Sequence, residues 1–347
     1  MNNIVKGAPD MSHGKVDIHI HIVGTGGSGS GCVMSETFAS GGAYSTILDS
    51  LNGGSLGRNA AAVEDLLLDT IDSSEKLDRC VVLAMDGVYK NSRLIEAETH
   101  LMTPNDYVAS ITREKKRLLF GASVHPYRDR EEMLRETERC LDGGAVLFNW
   151  VPSVQQLDPE DERCIPFYIR LAQEGVPLLC HTGTDFLAAP VDERAAGYGR
   201  AGKLMTALDI GVKVIASHCG PAFLAAGEPA TDSCVDELIE MLKTADEKKW
   251  DLSADISCFL KRDGLSCLKR IKREIDEGNI SADRLIYGSD FPVSFEPREA
   301  LVPAHVERSY LGARRNPLDE RYELARNLGI PDSVFTNAWR VLRPLSA

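Results

Sequence analysis

The sequence predicts an α/β fold of the (β/α)8 TIM-barrel kind, with a long loop after the first strand and a helical C-terminal extension. Three observations carry this reading. Eight short apolar runs alternate with amphipathic helical stretches along the 347 residues, the pattern of strands joined by helical crossovers. The runs suit strands buried on both faces better than strands of a half-exposed antiparallel sheet. Histidines and an aspartate recur at their C-terminal ends, where barrels of this kind build their sites.

The first strand is VDIHIHI, starting at Val16. The segment after it, Gly24 to Ala60, is rich in Gly, Ser and Ala and is long for a βα loop, which predicts a lid or insertion. CVVLAMDGV from Cys80, LLFGASVHP from Leu118 and AVLFNW from Ala145 follow as strands. PLLCHTG from Pro177, KVIASHCG from Lys213, WDLSADIS from Trp250 and LIYGSDFP from Leu285 complete the eight. Helical patterns such as EEMLRETERCL, CIPFYIRLAQEG, CVDELIEMLKTADEKK and LKRIKREIDEG lie between them, several running into glycine, a common helix stop. The tail from Asn316 reads as helical and is expected to pack back on the barrel. No low-complexity linker divides the chain, so residues 1–347 read as a single domain.

Composition narrows the function classes. With 43% hydrophobic and 26% charged residues the chain is that of a soluble globular protein. A formal charge of −13 argues against nucleic acid, which wants a basic face. Nine cysteines without a C-x-x-C pair argue against a disulfide framework and a zinc-thiolate site. The N-terminus lacks an apolar signal core and no window approaches a membrane span, so a cytoplasmic location and no membrane partner are expected. A homodimer is the expectation for a soluble assembly.

Two signatures compete at the first strand. Gly24-Thr25-Gly26-Gly27-Ser28-Gly29 fits the dinucleotide pattern G-x-G-x-x-G, but no apolar helical stripe follows it, and Asp49 as the ribose acid is easily a chance match. The glycines therefore read as loop. His19 and His21, two residues apart on a strand, point to one face, into the barrel. His181 and His218 end the fifth and sixth strands, and Asp290 ends the eighth. Their separations from His21 onward, 160, 37 and 72 residues, correspond to 40, 37 and 36 residues per βα unit. One repeating step thus carries all of them to one barrel mouth. Neutral imidazoles and a carboxylate suit one divalent ion, zinc first, with manganese or iron also accepted. Asp86, His125, Arg128, Asn149 and Trp150 lie at or just past strand ends and are expected to reach a small-molecule substrate. Cys180 and Cys219 sit beside His181 and His218, so alternation points them away from the ligand side.

In this order and spacing, HxH at His19 and His21, VHP at His125, PLLCHTG, ASHCG, YGSDFP and the closing FTNAWRVL resemble the amidohydrolase superfamily. The resemblance is to its amidohydrolase-related branch, which includes aminocarboxymuconate-semialdehyde decarboxylase-like proteins. It implies that His19, His21, His181 and Asp290 hold one metal. His218 then faces the substrate, as an acid/base or as a polariser of its carbonyl or carboxylate. Binuclear relatives carry a lysine at the end of the fourth strand; here Phe148, Asn149 and Trp150 stand there, which argues against a second metal held that way.

The leading expectation is a metal-dependent hydrolase: metal-activated water attacks an amide, ester or lactone carbonyl, Asp290 carries the proton to the leaving group, and His218 steadies the oxyanion. The alternative is non-oxidative decarboxylation of a small carboxylic acid, which needs cations to grip carboxylates; Arg58 and Arg128 are the candidates. A catalytically inactive metal-binding barrel is the third reading.

Overall fold

Eight parallel strands follow one another around a single sheet in chain order. They are β1 (Val16–His21), β2 (Arg79–Leu83), β3 (Leu118–Ala122), β4 (Leu147–Trp150), β5 (Leu178–His181), β6 (Val214–Ser217), β7 (Leu252–Asp255) and β8 (Leu285–Ile286). The structure is a computed structural model and describes residues 14–22, 24, 29–41, 44–45, 47–48, 51, 60–183, 193–218, 233–257, 265–292 and 316–344. Each strand pairs with the next in parallel. The ring is completed where Ile18 N donates to Tyr287 O (3.2 Å) and His21 N to Phe291 O (2.7 Å). All eight expected strands are present, and the barrel is the expected one.

A helix follows each strand: α1 (Ala60–Asp72), α2 (Asn105–Glu114), α3 (Arg130–Asp142), α4 (Ile165–Glu174), α5 (Met205–Ile210), α6 (Ser233–Lys248), α7 (Leu265–Asp276) and α8 (Pro317–Asn327). Local chemistry sets their ends. Asp129 caps α3 by accepting from the N–H groups of Glu131 and Glu132. Asn316 caps α8, with Pro317 at its first position. Gly175 ends α4 at φ 63°, a left-handed position that favours glycine.

The apolar side chains form two layers. Val16, Ile18, Val81, Leu83, Leu119, Leu147, Leu179, Ile215 and Ile286 fill the barrel, while a larger set lies between the strands and the helices. Ala338, Val341 and Leu342 join the inner layer. They close its N-terminal end, where Trp339 Nε1 donates to Gly14 O (2.7 Å) and Arg343 N to Val146 O (3.0 Å). The tail therefore packs back on the barrel as expected, as its bottom plug.

β1 changes phase along its length. Val16 and Ile18 join the inner layer, but Ile20 and Ile22 join the outer one. The pairing with β2 is irregular between Asp17 and Ile20. Such a bulge shifts which face a side chain takes, and here it turns the inward set from isoleucine and valine to His19 and His21.

Of the 24–60 segment, residues 25–28, 42–43, 46, 49–50 and 52–59, Arg58 among them, lie outside the described residues. So does Cys219. In the described part, Val33–Met34 pairs antiparallel with Leu101–Met102, and Phe38, Tyr44, Ile47, Leu48 and Leu51 are buried in the outer layer. Among the described residues, no helix is long and apolar enough to cross a membrane.

Candidate metal centre

His19 and His21 at the end of β1, His181 at the end of β5, His218 just past β6, and Asp290 just past β8 meet at the C-terminal mouth. All five side chains are buried or nearly so. His19 Nε2 lies 3.1 Å from His21 Nε2. Asp290 Oδ1 lies 3.2 Å from the first of these nitrogens and 3.3 Å from the second. His181 packs its ring 4.7 Å from that of His19 and 5.4 Å from that of His21, centroid to centroid. His19, His21 and His181 each offer a ligand atom, all within 4.8 Å of one another.

This donor set fits a divalent ion. Metal–nitrogen bonds of about 2.0–2.1 Å in tetrahedral geometry put neighbouring ligand atoms about 3.3 Å apart, and the triangle of two Nε2 atoms and one carboxylate oxygen has edges close to that length. The nitrogens are oriented for it. His19 Nδ1 is 2.8 Å from Asp255 Oδ2, which places its N–H there and leaves Nε2 as the lone-pair nitrogen, a support that metal-ligating imidazoles commonly receive.

Backbone geometry serves the same end. His218 and Asp290 both take positive φ, 65° and 56°, a region that His and Asp adopt more readily than most residues, though still at some cost. Alternation along β6 puts Ile215 inside and Ala216 outside, so an unbroken strand would send residue 218 outward. The left-handed turn brings it back over the mouth, where its ring centroid lies 4.5 Å from that of His181. Gly288 lets β8 approach: a Cβ there would stand 2.8 Å from His19 Cβ. Asp17 pins the bulge, its Oδ1 accepting from His19 N and Ser289 N at 3.0 Å each.

The electrostatics favour positive charge among the carboxylates and neutral rings around them. Burial opposes a proton on His19, but Asp255 and then Asp290 outweigh it and raise the ring to about 8. Burial pushes His21 down to about 4 and His218 to about 3. Burial works against the charge on Asp290, yet His218 and His19 hold it well below the usual carboxylate range. Asp255 is lowered in the same manner, chiefly by His19.

The five residues expected to reach substrate stand elsewhere, around the ends of β2, β3 and β4. Asp86 takes Arg128 in a two-pronged pair, at 2.9 and 3.0 Å, and also accepts from the backbone N–H groups of Gly87 and His125. Arg128 gives its remaining terminal nitrogen to Glu132 at 2.6 Å. His125 donates from Nε2 to Gln155 O at 3.0 Å and accepts at Nδ1 from Tyr127 N at 3.1 Å. Asn149 Nδ2 donates to Ala84 O at 3.0 Å. Trp150 donates to Val124 O at 2.9 Å and stacks on Phe167. Cys180 is buried in the layer outside the barrel, away from the histidines.

Asp255 and Ser257 are the site residues that the sequence reading passes over. A signal existed: Asp255 ends the seventh strand, 37 residues after His218 and 35 before Asp290, in step with the same repeat. An isolated aspartate among 52 acidic residues hid it.

A family model described as amidohydrolase matches residues 85–320. No curated protein matches the chain. Among solved structures, the fold is similar to that of an uncharacterized TIM-barrel protein from Bordetella bronchiseptica, at 17% identity and a TM-score of 0.57, covering 94% of this chain and 97% of that one. It is similar also to 5-carboxyvanillate decarboxylase from Sphingomonas paucimobilis, at 13% identity and a TM-score of 0.52, covering 96% and 100%.

Proposed function

The chain belongs to the amidohydrolase family, and from that premise we propose that it is a metal-dependent hydrolase acting on an amide, ester or lactone carbonyl of a small molecule. The observation that carries the proposal is the convergence of His19 Nε2, His21 Nε2 and Asp290 Oδ1 at mutual distances of 3.1–3.3 Å, with His181 beside them. These four residues hold the ion, most readily zinc, manganese or iron being compatible with the same donors. When bound, the ion supplies Lewis acidity and makes water a competent nucleophile at neutral pH.

The chain's own residues handle the proton and the charge. Asp290 turns Oδ1 toward the ligand nitrogens and Oδ2 toward His218, 4.0 Å from its Nδ1. A carboxylate held ionised in this way accepts the proton of the attacking water and passes it to the leaving group. His218, kept neutral by burial, stands across from it as acid/base or as polariser of the carbonyl.

Decarboxylation is the second reading, and the solved decarboxylase of similar fold keeps it in view. It calls for a cation that grips a carboxylate. Arg128, one of two candidates, is taken up by Asp86 and Glu132, which favours hydrolysis. The test is a substrate screen on metal-loaded protein that follows released amine or alcohol and released carbon dioxide in parallel, with chelator controls. The proposal expects amine or alcohol, lost on chelation. Carbon dioxide release, or turnover indifferent to the chelator, overturns it.

A further inference from the structure

We propose that Asp255 and Ser257 are positioning residues that fix the ring polarity of His19, His218 and His181 through one directional chain of hydrogen bonds. The inference rests on the metal-centre reading for its consequence, while its geometry stands independently. Asp255 Oδ1 accepts from two backbone donors, His218 N and Ser257 N, each at 3.0 Å. Ser257 Oγ lies 2.5 Å from the same oxygen. Two oxygens so close need a proton between them, and an oxygen already receiving two N–H groups is the acceptor, so the hydroxyl donates.

A serine hydroxyl has one proton. Having given it to Asp255, Ser257 can only accept from His218 Nδ1, 2.9 Å away. His218 thus carries its proton on Nδ1 and a lone pair on Nε2. That Nε2 lies 2.9 Å from His181 Nδ1, which must then be the donor, leaving His181 Nε2 as its lone-pair nitrogen. On the other carboxylate oxygen, His19 Nδ1 donates across 2.8 Å. One carboxylate therefore sets three rings with proton on Nδ1 and lone pair on Nε2, the form two ligands of a shared ion require.

The chain of bonds also engages both nitrogens of His218. With Nδ1–H committed to Ser257 and Nε2 accepting from His181 Nδ1, His218 has no N–H to give an oxyanion and acts as a support behind His181.

The experiment is ring-nitrogen NMR on metal-free, histidine-labelled full-length protein, on the alkaline side of the His19 transition at about 8. Wild type, S257A, S257T and D255N are compared, and metal affinity is measured on each with zinc alone. Wild type is expected to show protonated Nδ1 and unprotonated Nε2 for His218 and His181. S257A loses that pattern at both rings but keeps it at His19, S257T restores it, and D255N loses it at all three. Zinc affinity falls roughly 10–100-fold in D255N and less in S257A, as for other supports behind metal ligands. A wild-type His218 protonated on Nε2, or rings unmoved in S257A, overturns the chain of bonds. Ring patterns as expected in a wild type that binds no zinc uphold that chain and overturn the metal-centre reading instead.

Discussion

The two halves of the barrel mouth are both lined with buried polar side chains, yet they are built on opposite principles. Around β2 to β4, the ring nitrogens of His125, the carboxylate of Asp86 and the guanidinium of Arg128 are matched donor to acceptor within the protein. Around β1 and β8, three polar atoms crowd one point: two Nε2 atoms stand 3.1 Å apart with a carboxylate oxygen beside both. In the first half Asp86, His125 and Arg128 bond within the protein; in the second, polar atoms converge on one point, which on the proposed reading a shared cation occupies. Burial and polarity alone do not separate the two halves; the convergence of three polar atoms on one point does.

Substitutions on either side sharpen this contrast. The largest effect belongs to Asp290→Asn, which keeps the shape but removes the carboxylate proposed to carry the proton. Turnover on an identified substrate should drop by about 10²–10⁴-fold, while urea unfolding shows a folded protein. Asp86→Ala on the scaffold side does the reverse. It leaves two backbone N–H groups without their acceptor and Arg128 with Glu132 alone, costing about 3–5 kcal/mol in urea unfolding, with metal content unchanged; loss of metal together with unaltered stability would merge the two halves.

Much of this division was legible before any coordinates. The apolar runs located every strand, because strands buried on both faces read as continuous apolar segments. The βα repeat brought His21, His181, His218 and Asp290 to one end, since a barrel converts sequence period into position around a ring. Hydrogen-bond sense was not legible. Asp86, His125 and Arg128 sit at strand ends much as His181 does, and only the structure shows that Asp86 pairs with Arg128 and that His125 bonds to Gln155 O. The phase change in β1 was hidden as well. It depends on Asp17 reaching Ser289, 272 residues away, and on the absence of a side chain at Gly288. His218 reaches the mouth through a left-handed turn, which strand alternation could not supply.

Acid sensitivity is common to both halves, since burial lowers His125 as it lowers His21 and His218. Burial lowers His125 from an ordinary 6.5 to about 4, so between those values the unfolded chain takes up a proton that the native ring refuses. Stability due to this ring is complete above pH 6.5 and declines as the pH falls toward 4, by about 3 kcal/mol. Chemical denaturation across that window should show the decline, and H125F should remove the share due to this ring, leaving that of His21 and His218; an unchanged slope would mean that the ring titrates normally.

The smallest effect is expected at Gly288→Ala. Its Cβ meets His19 at 2.8 Å, and crowding of this order costs about 1–3 kcal/mol. The displacement falls on a proposed ligand, so zinc affinity should weaken along with stability. Stability lost with zinc affinity intact would show that β8 yields instead of His19.

Zinc titration of metal-free wild type beside the H19A/H21A double variant, with bound ion counted per chain, tests the convergence on a shared cation most directly. About one equivalent in wild type and none in the variant is the expected result. Equal binding by the two proteins, or no binding by wild type, would contradict it.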